Sequence, residues 1–322
     1  MVLLAGRLIL RLHQARAFHG SYNFVSLKEP LLSSNECQCQ INNYNTSLPP
    51  DCQLDASLPL PKKSPEYQKQ LLLLSSNPNA WNTDWESKLE LSKTPPYSLL
   101  SELKTELSKA QTKIGILINA ICFPNRPSIE HHKKSDTDVH FLVIPDFRIY
   151  SVGIDKIKDF AAFVSEGATL AEGCPKISFN NYKHGADHIH DNDVGSVKVV
   201  ESKNYPRFEG QKFDRDLILV CGHMKRDARC GLIASDLVAE LTQRDLPGNA
   251  EVAITSHIGG HKFAGNLIWY RRLGTGIDGK PKVDGIWFGK VLPYSVPTLV
   301  SKFSQGEIIK DFYRGGISNR QK

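Results

Sequence analysis

The spacing of hydrophobic and polar positions predicts an α/β unit in the middle of the chain. Apolar residues recur at helical spacing over residues 97–110 and 154–165, which predicts two amphipathic helices. Short runs rich in β-branched and aromatic residues, at 114–118 and 141–144, predict buried strands. Because helices and strands alternate along the chain, we predict a first α/β domain over residues 91–175.

A second α/β unit is predicted over residues 213–315. Its pattern indicates a strand, a helix, a strand, two paired strands around a glycine-containing turn, and a closing helix. These elements are predicted at residues 217–220, 232–242, 251–256, 267–270, 285–289 and 294–313. The order β-α-β-β-β-α is that of a thioredoxin-like domain. We therefore expect an α/β fold with two thioredoxin-like domains, of which the first is degenerate because the chain has no C-x-x-C motif.

Two other segments are predicted to be irregular. Residues 31–90 are rich in Ser, Asn, Pro and Leu, and their prolines argue for an irregular N-terminal segment. Residues 176–212 are rich in Gly, Asn, Asp and His, which predicts a linker or long loop between the two units.

Residues 1–30 have the composition of a mitochondrial transit peptide. They carry four basic residues and a single acidic one, Glu29, and they mix bases with apolar positions. Arg7 and Arg11 interrupt the apolar core that a secretory signal would need. The stretch from Arg16 to Ser21 resembles the arginine-anchored sites at which mitochondrial presequences are trimmed. We predict a mitochondrial protein, located in the matrix or the intermembrane space.

Composition narrows the function classes further. The chain has 322 residues, of which 40% are hydrophobic and 23% charged, as is typical of a globular protein. A net charge of +6 is weak evidence for nucleic acid, and no apolar run approaches the ~20 residues of a membrane span. The chain contains no P-loop, G-x-G-x-x-G, nucleophile elbow or H-E-x-x-H motif. Nothing in the motifs therefore nominates a hydrolase or a nucleotide-binding enzyme.

Four potential ligands form the most informative feature of the sequence. Cys221 and Cys230 follow one predicted strand, and His257 and His261 follow the next. Structural zinc sites of two cysteines and two histidines usually separate the cysteines by two to four residues and place the histidines on a helix. Here eight residues separate the cysteines, and the Ile-Gly-Gly between the histidines is a poor helix. These spacings favour an iron–sulfur cluster over zinc.

The same residues carry a family resemblance. A strand, a cysteine, a long loop, a second cysteine and a helix, followed by a strand and another ligand pair, resembles the thioredoxin-like [2Fe–2S] ferredoxins. In the sucrase/ferredoxin-like family the second pair is histidine, in an H-x-G-G-H loop, which this chain carries as His257-Ile-Gly-Gly-His261. The stretches Lys262-Phe-Ala-Gly-Asn and Gly-Ile-Trp287-Phe-Gly-Lys-Val are also similar to that family, and the resemblance is strong over residues 214–300.

The resemblance implies that Cys221, Cys230, His257 and His261 bind a [2Fe–2S] cluster and that the protein is an electron carrier more than a stand-alone enzyme. Two thiolates with two neutral imidazoles carry two fewer negative charges than four thiolates. The reduction potential is therefore expected above the roughly −400 mV of plant-type ferredoxins, toward the Rieske range of about −150 to +300 mV. An imidazole on ferric iron also loses its outer proton more readily, so reduction is expected to bring proton uptake.

Two other function classes compete with this interpretation. In the first, Cys221 and Cys230 cycle between thiols and a disulfide in a thiol–disulfide redox quality-control factor. In the second, the four residues hold a structural zinc ion in an interaction module. The expected partners are a redox protein of unknown identity, acidic if the basic residues near the ligands dock it, and the mitochondrial import and iron–sulfur assembly machineries. Those basic residues are Lys225, Arg226, Arg229 and Lys262.

His223, the other cysteines and one polar tract each have a functional interpretation and a simpler structural one. His223 is interpreted as a residue that supports or replaces a ligand, or as an exposed side chain. The set of Cys37, Cys39 and Cys52 suggests a thiol or metal site, but it lies in sequence predicted to be irregular. A polar tract suggests a zinc-binding site but is more simply interpreted as a loop; its residues are His184, Asp187, His188, His190 and Asp191. Cys122 and Cys174 are predicted to be packing or loop cysteines.

Overall fold

The computed structural model describes residues 22–75, 78–81, 96–109, 115–124, 138–166, 207–276 and 279–317. Its α-helices are α1 (Asn35–Ser47), α2 (Tyr97–Lys109), α3 (Ile157–Glu166), α4 (Ala228–Thr242) and α5 (Val296–Ser304). Its strands are β1 (Asn23–Val25), β2 (Lys69–Leu74), β3 (Ile116–Cys122), β4 (Asp138–Ile144), β5 (Arg148–Gly153), β6 (Gly210–Lys212), β7 (Leu217–Cys221), β8 (Glu251–Thr255), β9 (Leu267–Thr275), β10 (Pro281–Phe288), β11 (Glu307–Ile309) and β12 (Tyr313–Ile317).

Ten of these strands form one mixed sheet in the order β12-β10-β9-β7-β8-β3-β2-β4-β5-β6, and β1 pairs with β11 in a separate parallel ribbon. The strands predicted at 114–118, 141–144, 217–220, 251–256, 267–270 and 285–289 all lie in the large sheet, and their ends differ from the predicted ones by at most five residues. Three predicted helices also occur, as α2, α3 and α4. The α/β class is thereby confirmed.

The two halves of the sheet have the same connectivity. In the second half, β7 runs parallel to β8 and antiparallel to β9, which in turn pairs antiparallel with β10. In the first half, β2 runs parallel to β3 and antiparallel to β4, which pairs antiparallel with β5. A helix follows the first strand of each half, and another follows the last. The halves meet where β3 pairs antiparallel with β8, at Ile121 opposite Thr255.

Strand β2 is the central strand of the first half, and its position corrects the prediction that residues 31–90 are irregular. All six of its residues are buried, because Leu71 and Leu73 face one hydrophobic cluster while Leu72 and Leu74 face the other. A strand covered on both faces shows no alternation of polar and apolar positions. The pattern typical of a half-buried strand is therefore missing from the sequence, and the nearby prolines hide it further.

Helix α1 also lies in the segment predicted to be irregular. Ser34 caps it by accepting a hydrogen bond from the Cys37 amide (3.2 Å). Only Cys37 and Ile41 are buried on this otherwise polar helix, which is too narrow an apolar face to detect by periodicity. The Tyr44 hydroxyl donates to Asp236 on α4 (2.6 Å), so α1 covers the helix that carries Cys230.

Three boundaries also differ from the predictions. The closing helix predicted over residues 294–313 ends at Ser304, because Gly306 adopts a left-handed φ of 78° and the chain then forms β11 and β12. Residues 210–212 of the predicted linker form β6 and pair with β5. Residues 22–30 of the predicted transit peptide belong to the fold, since the buried Tyr22 donates to Asp284 (2.9 Å) and stacks on Phe303.

Candidate functional site

Two neighbouring parallel strands bring the predicted ligands to one edge of the sheet. Strand β7 ends at Cys221, which lies in register with Thr255 at the end of β8, two residues before His257. The carboxyl ends of parallel strands share an edge, so the chain leaves both strands on the same side. The sequence placed each ligand pair after a predicted strand. The parallel register of β7 and β8 explains why the two pairs lie at the same edge.

Cys230 reaches the same point from the first turn of α4. Asp227 caps that helix by accepting a hydrogen bond from the Arg229 amide (3.0 Å), and the Cys230 amide donates to the Asp227 carbonyl (3.1 Å). The side chains of Cys221 and Cys230 are both buried and hydrogen-bond to each other. The loop between the two cysteines thus closes on itself and brings the two thiols close enough to shift each other's pKa.

The buried cysteine pair divides into one acceptor and one donor. The hydrogen bond from Cys230 lowers the pKa of Cys221 well below its usual range, and the His257 side chain and the Ile258 amide lower it further. The same bond, together with burial, raises the pKa of Cys230 well above its usual range. Cys221 is therefore the thiolate of the pair, which is the form that binds metals and attacks disulfides.

His257 and His261 lie beside the cysteines, with ring centroids 5.5 Å apart. Both side chains are half-buried, whereas both cysteines are fully buried. Burial lowers the pKa of His261 against the attraction of Asp227, which favours the neutral imidazole that ligates metals. Its Nδ1 atom is buried and has no hydrogen-bond partner among the described residues. Such an atom is expected where a metal ion or cluster completes a site.

The loop between the histidines is held by side chains from three other elements. Asn119 on β3 donates to the His257 carbonyl (3.1 Å), and Arg314 on β12 donates to the Gly259 carbonyl (3.1 Å). Asn266 donates to the Gly260 carbonyl (2.9 Å) and accepts from Arg314 (2.7 Å). Three main-chain carbonyls of the loop, at residues 257, 259 and 260, are therefore held by side chains from outside it.

The two glycines of this loop are required by its conformation. Gly259 and Gly260 both have positive φ values, of 81° and 74°. A Cβ atom at Gly260 would also lie 2.6 Å from the Arg314 guanidinium. The H-x-G-G-H pattern is thus explained by backbone geometry at both positions and by a close approach at the second.

His223 has a structural role that the sequence left open. It is buried, its Nδ1 accepts a hydrogen bond from the His257 amide (3.3 Å), and its ring contacts the edge of Trp81 (centroids 5.8 Å apart). The interpretation as an exposed side chain is therefore wrong. His223 supports the main chain of His257 from the cysteine loop.

The predicted basic residues divide into one buried ion pair and three surface charges. Arg229 is buried and donates from Nε (2.9 Å) and from a terminal nitrogen (2.8 Å) to the two carboxylate oxygens of Asp227. It is therefore removed from the predicted basic patch. Lys225, Arg226 and Lys262 are exposed, and Arg226 is near enough to His261 to lower its pKa, behind burial and the charges of His257 and Arg229.

The other cysteines among the described residues are not assembled into a site. Cys37 is buried on α1 and Cys39 is exposed, so the two point to different sides of the helix; Cys52 lies apart, half-buried. All six cysteines among the described residues are free. Cys122 is buried at the end of β3, as a packing residue. Cys174 lies outside the described residues. So does the polar tract of His184, Asp187, His188, His190 and Asp191.

The donor set fits a cluster in composition. In the described part of the chain, no group of three or more His, Cys, Asp or Glu side chains is arranged to hold a metal ion. A mononuclear ion needs its ligands gathered at one point, whereas a [2Fe–2S] cluster takes a pair at each iron. The residues present are one contacting thiol pair and one imidazole pair, with a buried imidazole nitrogen that lacks a partner.

The position equivalent to Cys221 in the first half of the sheet holds no ligand. Cys221 lies opposite Thr255 on β8, and the matching residue Leu74 lies opposite Ile121 on β3. Ser75 follows it and hydrogen-bonds with Tyr97 (2.8 Å) and Trp81 (3.3 Å). The first half therefore uses its strand end for packing.

A mixed sheet of two similarly connected halves, with cysteine and histidine pairs at one edge, defines a redox-related α/β protein. The family model described as sucrase/ferredoxin-like matches residues 60–315, and the chain belongs to this family. The match covers both halves of the sheet, so it confirms the resemblance and extends it beyond residues 214–300. No solved structure matches the chain.

Several relatives share almost the whole length of the chain, and all of the following are called altered inheritance of mitochondria protein 32. The protein of Eremothecium gossypii is 44% identical over 94% of this chain and 95% of its own length. That of Kluyveromyces lactis is 37% identical over 94% and 92%, and that of Saccharomyces cerevisiae 36% over 95% and 97%. These names agree with the predicted mitochondrial localisation and do not specify a compartment within the organelle.

The side chains that support the site were missed by sequence reasoning. Asn119 and Arg314 are distant in sequence from His257, and neither carries a motif of its own. Asn266 lies within the Lys262-Phe-Ala-Gly-Asn stretch that resembles the family, so that stretch was its only signal. No helix among the described residues is long and apolar enough to cross a membrane.

Proposed function

We propose that this protein carries single electrons in mitochondria through a [2Fe–2S] cluster held by Cys221, Cys230, His257 and His261. The observation that carries the proposal is that the ends of β7 and β8 and the first turn of α4 bring a buried thiol pair beside an imidazole pair. When bound, such a cluster supplies one-electron oxidation and reduction. The second half of the sheet is then a thioredoxin-like ferredoxin domain. The first is a degenerate thioredoxin-like domain, in which Leu74 replaces the first ligand.

The protein's own residues account for the expected redox properties. Two thiolates and two neutral imidazoles place less negative charge on the site than four thiolates, which favours the reduced state and a potential nearer the Rieske range. The cysteines are buried and the histidines half-buried, so the imidazole side lies nearer the surface. Exchange of electrons, and of a proton at an imidazole nitrogen, is expected on that side.

An acidic redox protein is the proposed partner at this face. Lys225, Arg226 and Lys262 are exposed close to the histidines, and Met224 beside them is 44% exposed. Positive charge around an exposed redox site speeds the encounter with an acidic partner. The import and iron–sulfur assembly machineries remain proposed partners on the ground of localisation and cofactor alone.

Anaerobic purification followed by visible absorption and electron paramagnetic resonance tests the proposal. We expect a reddish protein that gives a rhombic signal of low average g after reduction. A colourless protein with one zinc ion per chain would favour the structural zinc module and contradict the proposal. As a control, the Cys221→Ser variant should lose the colour while the Cys39→Ser variant keeps it, because Cys39 is exposed on α1.

The contact between the two cysteine sulfurs favours thiol–disulfide exchange as the second candidate. In that reaction the Cys221 thiolate attacks a client disulfide, and Cys230 then resolves the mixed disulfide. The chain is oxidised by two electrons, and the client gains two electrons and two protons. Redox titration of thiols in the cluster-free protein should reveal a reversible Cys221–Cys230 disulfide, and its absence would count against this candidate.

A further inference from the structure

Arg314 is a buried arginine that makes no ion pair with a carboxylate in the part of the chain that the structure describes. Its side chain is 5% exposed, and its terminal nitrogen donates to the Gly259 carbonyl (3.1 Å) and to Asn266 (2.7 Å). Its guanidinium carbon lies 5.8 Å from the centroid of the Trp287 ring. The Nε atom is buried and has no hydrogen-bond partner among the described residues. The buried Arg229, in contrast, is fully matched by Asp227.

A buried cation without a counter-charge is costly, so its compensation must come from elsewhere in the site. Burial lowers the pKa of Arg314, and the negative charge of Cys221 and Cys230 opposes that fall. Arg314 also holds the main chain between the two histidines through its hydrogen bond to the Gly259 carbonyl, so it adjoins the predicted site. Solvent screens such a buried charge far less than it screens the exposed lysines.

We propose that Arg314 is the counter-ion of the two cysteine thiolates and sets the reduction potential of the site. The inference rests on the proposed function, because it concerns the charge gained when the site is reduced. A fixed positive charge favours the state with one more electron. At an effective dielectric constant of about 20, a unit charge within about 12 Å changes a one-electron equilibrium by about tenfold. Its hydrogen bond to Gly259 is a second, geometric role that the test must separate from the charge.

Two variants separate charge from geometry. Arg314→Gln removes the charge but keeps an amide donor for the Gly259 carbonyl, and Arg314→Lys keeps the charge but loses the planar fork. Lys262→Gln, which removes an exposed charge next to His261, is the matched control. The measurement is a redox titration of the full chain at fixed pH, followed by electron paramagnetic resonance, whose g values also report whether the ligands are unchanged.

We expect Arg314→Gln to lower the reduced-to-oxidised ratio at a given potential by about tenfold, equivalent to 59 mV for one electron. Arg314→Lys and Lys262→Gln should stay within about threefold of the wild type. An unchanged ratio in Arg314→Gln, or an equal fall in Arg314→Lys, would overturn the inference. If Arg314→Gln binds no cluster, Arg314→Met, which also removes the charge, is judged by the same limits. If neither binds one, Arg314 serves assembly, and the inference is wrong.

Failure of this inference can be told apart from failure of the proposed function. A wild-type chain without a cluster contradicts the function itself, before any variant is compared. A wild-type chain with a cluster and a potential that ignores Arg314 contradicts only the role of this residue.

Discussion

Asn119, on the strand β3 that joins the first half to β8, donates a hydrogen bond of 3.1 Å to the main-chain carbonyl of His257 in the second half. It also donates to the Ser256 hydroxyl (3.2 Å) and accepts from Gln70 (2.6 Å). Gln70 in turn accepts from Tyr270. The first half therefore reaches the proposed site through a buried polar chain that crosses the junction of β3 and β8.

The series of hydrogen bonds continues from Tyr270 to Tyr67 and Trp287. The Trp287 indole donates to Tyr67 (3.0 Å), and the Tyr67 and Tyr270 hydroxyls are 2.6 Å apart. With Tyr67 as donor to Tyr270, every donor points toward His257. Bonds aligned in this way polarise one another and, when buried, fix a single arrangement of the core. The first half is thus a scaffold for the histidine loop, although it carries no predicted ligand of its own.

Replacing Asn119 tests this scaffold. Asn119→Leu should lower the free energy of unfolding by about 1–3 kcal/mol, because the His257 carbonyl, the Ser256 hydroxyl and the Gln70 amide all lose a buried partner. It should also reduce the iron bound per chain. Urea unfolding and iron analysis are the measurements.

The exposed Asn43 provides the control for this prediction. It lies on α1, and among the described residues its side chain makes one weak hydrogen bond, to Cys39 at 4.0 Å, so Asn43→Leu should change stability by less than about 0.5 kcal/mol. If Asn119→Leu were equally silent in both measurements, the polar chain would not support the loop.

His257→Cys tests the mixed ligand set. The variant should keep a cluster, but its midpoint potential should fall and depend less on pH, because a thiolate adds negative charge and removes one titrating imidazole. Potentiometric titration between pH 6 and about 9 follows both properties. A potential equal to that of the wild type at every pH would show that His257 is not a ligand.

Sequence reasoning succeeded where a local pattern determines structure, and it failed where burial is two-sided or contacts are distant. The β7–α4–β8 unit was predictable because Cys221 and His257 follow clear apolar runs and residues 232–242 show helical periodicity. Strand β2 was missed because it is apolar on both faces. Arg314 was missed because its position beside the histidine loop depends on the pairing of β12 with β10, a register that no local pattern encodes.

Asp216, which lies just before β7, should make the stability of the folded protein depend on pH. Burial raises its pKa to about 6, although its carboxylate accepts a hydrogen bond from the Arg272 amide (2.9 Å) and lies near Arg271. The folded state therefore binds this proton more tightly than the unfolded state, whose pKa is about 3.9. The resulting stability is present below about pH 4 and is lost as pH rises through about 6.

Asp216→Asn should remove this loss while keeping an acceptor for the Arg272 amide. Relative to the wild type, the variant should gain about 1–3 kcal/mol of unfolding free energy at pH 7.5 and much less near pH 4. Urea unfolding at the two pH values measures the difference, and Asp245→Asn, at an exposed position, is the control. A gain that is equal at both pH values would assign the effect to packing instead of ionisation.

The contacts of Tyr22 limit how much of the N-terminus import can remove. Tyr22 donates to the fully buried Asp284, and Asn23–Val25 forms a parallel ribbon with β11. A chain that starts at residue 22 keeps these contacts and serves as the reference. A chain that starts at residue 31 should lose at least about 2–3 kcal/mol, since a hydrogen bond to a charged acceptor and the ribbon are both removed. Thermal unfolding of the two truncated chains, with Tyr22→Phe to isolate the hydrogen bond, measures this. Equal stability of the two chains would restore residue 30 as an acceptable boundary for the transit peptide.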